Sequence, residues 1–95
     1  MIEKEGERHV GELWQLYNVN IVLEYQLNSV GITSVAKLSE IGSKDAFRLL
    51  KQRDETLGVD VLLSLEGANQ GVRWFKLPVE VQQELREYFG NTYGK

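Results

Sequence analysis

Lys44, Arg48 and Lys51 recur at i, i+4 and i+7, the spacing that gathers three cations on one side of a helix. Lys37 stands one segment earlier. Residues 37–53 hold five cations against two carboxylates, a local +3 in a chain of formal net charge −3. The chemistry that this pattern suits is phosphate neutralisation, which falls steeply with salt. An ordinary solvated helix face has the same pattern, and the net acidity argues against a strong, non-specific nucleic-acid binder.

Gly31 and Gly42 flank the same region. Each falls where an apolar-periodic segment stops, with a Thr or Ser close behind it. Amides at such corners, those of Ile32, Thr33 and Ser34 and those of Ser43 to Asp45, suit an anion such as phosphate. The alternative is a pair of helix C-caps in a compact bundle. A strong phosphate-binding hairpin carries G-x-G, and Ser29 occupies the first of those places here.

Catalytic chemistry finds little to work with. His9 is the only histidine and cysteine is absent, which excludes a thiolate nucleophile, a disulfide framework and a histidine or thiolate metal site. Neither G-x-x-x-x-G-K-[ST] nor G-x-G-x-x-G occurs. The expectation is a protein that binds without catalysing and needs no cofactor or metal. No apolar run approaches the ~18 residues of a membrane span, so the expected location is the cytoplasm and no membrane partner is expected.

The elements that position these residues read as five helices and one core. The first spans Asn20–Ser29, with Val19, Val22, Leu23, Leu27 and Val30 on one face and Gly31 ending it. Ile32 plugs the corner, Thr33 or Ser34 caps a second helix faced by Val35, Leu38 and Ile41, and Gly42 closes it. Ser43 is the expected N-cap of the third helix, with Asp45 in its first turn and Ala46, Phe47, Leu49 and Leu50 inside. Asp60 caps the fourth, faced by Val61, Leu62, Leu65 and Ala68 and ended by Gly71. Pro78 takes the first position of the fifth, faced by Val81, Leu85, Tyr88 and Phe89 and stopped at Gly90. Val72 to Leu77 is the single alternating segment, and it has no partner strand. The fold class expected is all-α.

Residues 1–12 read as a mobile arm, 13–90 as the domain and 91–95 as a tail. The expected core is Leu23, Leu27, Ile32, Leu38, Leu50, Leu62, Leu65, Trp74 and Leu85. Gly67 lies inside the fourth helix, where it costs ~1 kcal/mol relative to alanine. Close packing under Trp74 or Phe75 is the expected reason. Leu13, Trp14, Leu16 and Tyr17 are too apolar for a free tail, so they fold back onto the body or onto a second copy of the chain. A homodimer is a further expectation.

Three short helices joined by glycine corners over residues 20–53 resemble helix-hairpin-helix (SAM-like) modules, which serve as nucleic-acid or protein adaptors. A wider set of strings resembles the C-terminal domain of the TfoX/Sxy competence-regulator family. The strings are Leu16-Tyr17-Asn18-Val19-Asn20 (L-P-N-I-G in the family), V-G-I-T-S-V-A-K-L from Val30 and E-I-G-S-K-D-A-F-R-L-L-K from Glu40. L-L-S-L-E-G-A-N-Q-G-V-R-W from Leu62 and the Leu77-Pro78 pair complete the set. Tyr17 and Asn20 depart from the family's Pro and Gly. The N-terminal domain usual in those regulators has no counterpart in these residues, so a stand-alone version is expected. The resemblance implies a non-catalytic regulator of DNA transformation or transcription. Its expected partner is nucleic acid or a nucleoprotein complex, contacted through Gly31, Ile32, Thr33, Lys37, Gly42, Ser43, Lys44, Arg48 and Lys51. A purely protein-binding or dimerisation module is the alternative.

Overall fold

Asn20 opens the first helix, its side-chain oxygen accepting the Leu23 amide at 2.8 Å. The computed structural model describes residues 12–94. The arm expected over residues 1–12, with His9, thus lies outside the described residues except for Glu12. The helices are α1 (Ile21–Ser29), α2 (Val35–Ile41), α3 (Ser43–Arg53), α4 (Val59–Gln70) and α5 (Val79–Tyr93). Two single 3-10 turns, Leu13–Gln15 and Trp74–Lys76, precede α1 and α5. The protein is a five-helix all-α domain. The segment from Val72 to Leu77 is not a strand but holds the second 3-10 turn.

Gly31 ends α1 at φ +88. Its amide donates to Asn28 at 3.0 Å and that of Ile32 donates back to Leu27 at 2.9 Å, a Schellman closure that requires a left-handed residue between them. Ile32 is fully buried in the corner. Ser34, not Thr33, caps α2, accepting the Lys37 amide at 3.0 Å. α2 is too short to persist alone. Leu38 anchors it in the core with no exposed surface, and the Asn69 side-chain nitrogen of α4 donates to the Leu38 carbonyl.

α4 is the hub, packing against α2, α3, α5 and the second 3-10 turn. Leu62, Leu63, Leu65 and Ala68 are all buried. Leu63 lies outside the face read from the sequence because a central helix buries more than one stripe. Every expected core residue is buried except Trp74, which is half-buried at the edge of the cluster. Val22 is a correction: it stands 66% exposed, and Glu24, 1% exposed, takes the inner position. One Glu24 oxygen accepts the Leu13 amide at 3.2 Å and so pins the first turn to α1.

Three helix ends also differ from expectation. Gly42, at φ +88, is the residue before α3, so Ser43 is its first helical residue and not its cap. Gly58 precedes α4, and Asp60 lies in the first turn, where a carboxylate still suits the helix dipole. Pro78 is the residue before α5, which passes Gly90 and ends at Tyr93 before Gly94 at φ +78. The extra turn is held by aromatic packing. Tyr93 meets Phe47 edge-on at 5.4 Å and Phe89 at 5.3 Å.

A candidate interaction surface around the helical hairpins

The three cations of α3 lie together, but against α5 and the loop after α3. Lys44 Nζ pairs with Glu84 at 2.6 Å and sits 4.7 Å from the Tyr88 ring centroid. The Glu84 hydrogen bond raises the Lys44 pKa, and desolvation offsets part of that rise. Arg48 pairs with Asp45 one turn back, at 3.6 Å. Lys51 donates to the carbonyls of Glu55 and Leu57 and covers the rings of Phe89 and Tyr93 at 5.5 and 5.6 Å. Burial is the main cause of an upward shift in the Tyr93 pKa beside it.

Lys51 is therefore a structural fastener for the loop after α3. Replacing it with Ala strips a charged donor from two carbonyls, and a destabilisation of ~1–3 kcal/mol is expected. Melting curves of Lys51→Ala beside Lys51→Arg check this, and equal stability of Lys51→Ala and the parent would refute it.

Of the amides of the first corner, that of Ile32 is engaged within the chain, as are those of Val35 and Lys37 just beyond it, while those of Thr33 and Ser34 have no partner among the described residues. That of Ile32 closes α1, that of Val35 reaches a Glu12 oxygen at 3.3 Å, and that of Lys37 meets Ser34. Thr33 and Lys37 are exposed beside them. At the second corner, α3 begins on a cleft of about 450 Å³ whose lining includes Gly42, Ser43, Lys44, Asp45, Glu66 and Glu84. The Ser43 hydroxyl donates to Glu66 at 2.6 Å. Three carboxylates and one ammonium line that cleft, so the local field opposes a phosphate at the start of α3.

Asn18 is the residue that the sequence reading missed. It holds a left-handed φ of +72. Its side-chain amide nitrogen donates to Ser64 at 3.2 Å and Val72 at 3.0 Å, and its oxygen accepts the Trp74 amide at 3.1 Å. A Cβ on Gly67 would meet that nitrogen at 2.6 Å, the Val72 oxygen at 2.8 Å and the Trp74 Cα at 3.1 Å. Close packing is indeed why Gly67 is there, but Asn18 and the connector fill the space. The available signal was Asn18 itself, shared with the L-P-N-I-G string; Asn20, two residues on, is an N-cap with extended backbone.

Among the described residues, no three His, Cys, Asp or Glu side chains gather as a metal site. No described helix is long and apolar enough to cross a membrane. The class that fold and surface define is a small helical domain whose distinctive features are corners, clamps and exposed side chains. Residues 10–89 match the model of the TfoX C-terminal domain, and the chain belongs to that family. It is 34% identical over 88 residues to Protein Sxy of Escherichia coli (strain K12), covering 92% of this chain and 42% of that protein. The chain thus spans less than half of that curated relative. Two crystal structures of Listeria monocytogenes proteins share the fold, each at 35% identity. The first, an uncharacterized protein in a triclinic form, has a TM-score of 0.84 over 86% of this chain and 93% of its own. The second, a protein of unknown function in a tetragonal form, has a TM-score of 0.82 over 84% and 98%.

Proposed function

We propose that this domain is a non-catalytic regulatory adaptor in DNA transformation or transcription, working by surface contact within a complex that contains nucleic acid. Family membership supports the regulatory part. The observation that carries the nucleic-acid part is the gathering of Lys44, Arg48 and Lys51 on α3, in a segment of local charge +3. Lys44 and Arg48 keep 42% and 50% of their side-chain surface exposed while paired. A phosphate at this face exchanges for Glu84 or Asp45, so the affinity is modest and salt-sensitive. Gly42 and Ser43 adjoin Lys44 at the start of α3, and Thr33 and Lys37 are the exposed residues of the first corner that could add a contact.

Titration with short duplex DNA at ~50 mM salt tests the reading. Binding is expected to weaken alike for all sequences in a Lys44→Ala/Arg48→Ala/Lys51→Ala variant, and the slope of log affinity against log salt to fall by up to ~3. The measurement belongs well below the variant's melting temperature, because Lys51 also holds the loop. No measurable duplex binding by the parent protein would sink the duplex-contact reading.

A second reading, of a protein-binding or dimerisation module, has its own support. Ile21, Val22 and Tyr25 stand 61%, 66% and 74% exposed along α1, an apolar stripe that suits another protein surface, a second copy of this chain included. Light scattering at high concentration tests self-association, and a monomer throughout would count against the dimer.

A further inference from the structure

The Asn18 clamp does more than hold the chain together. It sets the segment after the first 3-10 turn beside the connector between α4 and α5, so that Tyr17 meets Arg73, whose guanidinium carbon lies 5.2 Å from the ring centroid. Phe75 leans edge-on against Trp74 at 5.6 Å and 85° yet stays 55% exposed, and Tyr17 stays 49% exposed. Two surface troughs of about 500 and 520 Å³ meet at Tyr17 and Arg73, the second reaching Phe75 and Lys76. Their lining holds no Asp or Glu, in a chain of net charge −3. Among the described residues, neither Arg73 nor Lys76 has a carboxylate within ion-pairing distance.

Two accessible rings beside two cations that have no carboxylate partner among the described residues match a polymer that alternates planar groups with anions. The geometry points to the Tyr17–Arg73–Phe75–Lys76 face as a binding site for single-stranded nucleic acid, with bases stacked on the two rings and phosphates held by the two cations. A duplex keeps its base faces inside its own stack and cannot use the rings. An acidic peptide satisfies the cations and leaves the rings unused. This face is separate from the α3 cations and rests on none of their contacts.

Fluorescence anisotropy with a labelled single strand of ~12 nucleotides tests the proposal. Tyr17→Ala/Phe75→Ala is expected to weaken binding by ~10-fold or more per ring, while Phe75→Trp retains it. Arg73→Gln/Lys76→Gln is expected to lower the salt slope by ~1.4, about 0.7 for each phosphate that no longer meets a cation. An abasic strand of equal length should bind far more weakly than the normal strand. Melting curves confirm that each variant is folded.

Equal binding of the abasic strand, unchanged binding by the ring variant, or displacement of the strand by equimolar poly-glutamate would each overturn the site. Loss of single-strand binding only in the α3 triple variant would also overturn it, and would leave the duplex reading standing. Ring-dependent single-strand binding without any duplex binding would support this face and remove the α3 one.

Discussion

Replacing Asn18 with alanine is expected to cost the domain ~3–5 kcal/mol. Three side-chain hydrogen bonds disappear at once, to Ser64, Val72 and Trp74. The Ser64 carbonyl keeps its bond within α4, but the partly buried Val72 carbonyl and Trp74 amide are left without a partner, and water is an incomplete substitute, at ~1–3 kcal/mol for each. Alanine must also hold φ near +72, a further ~1 kcal/mol that asparagine avoids better than most residues. Three variants separate these effects. Asn18→Gly relieves the backbone and still forfeits the bonds, so it should recover only the conformational share. Asn18→Asp keeps an acceptor for Trp74 but turns a carboxylate oxygen toward two carbonyls, and should be at least as unstable as alanine. Gly67→Ala should be comparably damaging, because its new methyl meets the Val72 oxygen and Trp74 backbone as well as the Asn18 nitrogen. Denaturant unfolding measures all four, and a midpoint for Asn18→Ala equal to that of the parent would show that the clamp contributes nothing.

Leu38→Ala and Leu65→Ala should each destabilise the domain by ~2–5 kcal/mol, the range for deleting a buried leucine side chain. Both side chains are fully buried. Leu38 should lie toward the upper end, since it is the only buried residue of α2 and the helix has little else to hold it. Val22→Ala is the matched control: at 66% exposure it should shift stability by no more than ~0.5 kcal/mol. A core variant indistinguishable from that control would show its assignment to be wrong.

How far the sequence reached can be judged from particular residues. Gly31 and Gly71 are left-handed helix ends, as glycine after an apolar-periodic run implies, and Ile32, Leu38 and Leu65 are buried as their spacing requires. Such features depend on neighbours within a turn or two. Features set by distant residues were less legible. Val22 and Glu24 are two positions apart on α1, and hydropathy alone places the valine inside. The Leu13 amide, brought in from another segment, is what gives the buried glutamate a partner. Gly90 reads as a stop, but Phe47, far earlier in the chain, holds the turn that follows it. The spacing of Lys44, Arg48 and Lys51 did predict a common face. It carried no information about Glu84 or the Leu57 carbonyl, which share that face from other elements. Charge pattern shows where cations lie along a helix, not which of them the fold already engages.

The Asn18 clamp also orders events during synthesis. Its partners lie 46, 54 and 56 residues further along the chain, so Asn18 emerges early and its site is assembled late. Through that interval α1 and α2 lack α4, and helices of this length are marginal alone. Closing so long a loop gains one bond when α4 arrives, to Ser64, and the other two only with the connector after it, which places completion of the clamp among the later steps of folding. A chain arrested before Val72 would carry the two glycine corners and most of the leucine core without the two clamp bonds to Val72 and Trp74 and without α5. Such nascent fragments expose apolar surface to chaperones and proteases, and that surface is closed only when α5 brings Leu85, Phe89 and Tyr93 to the core.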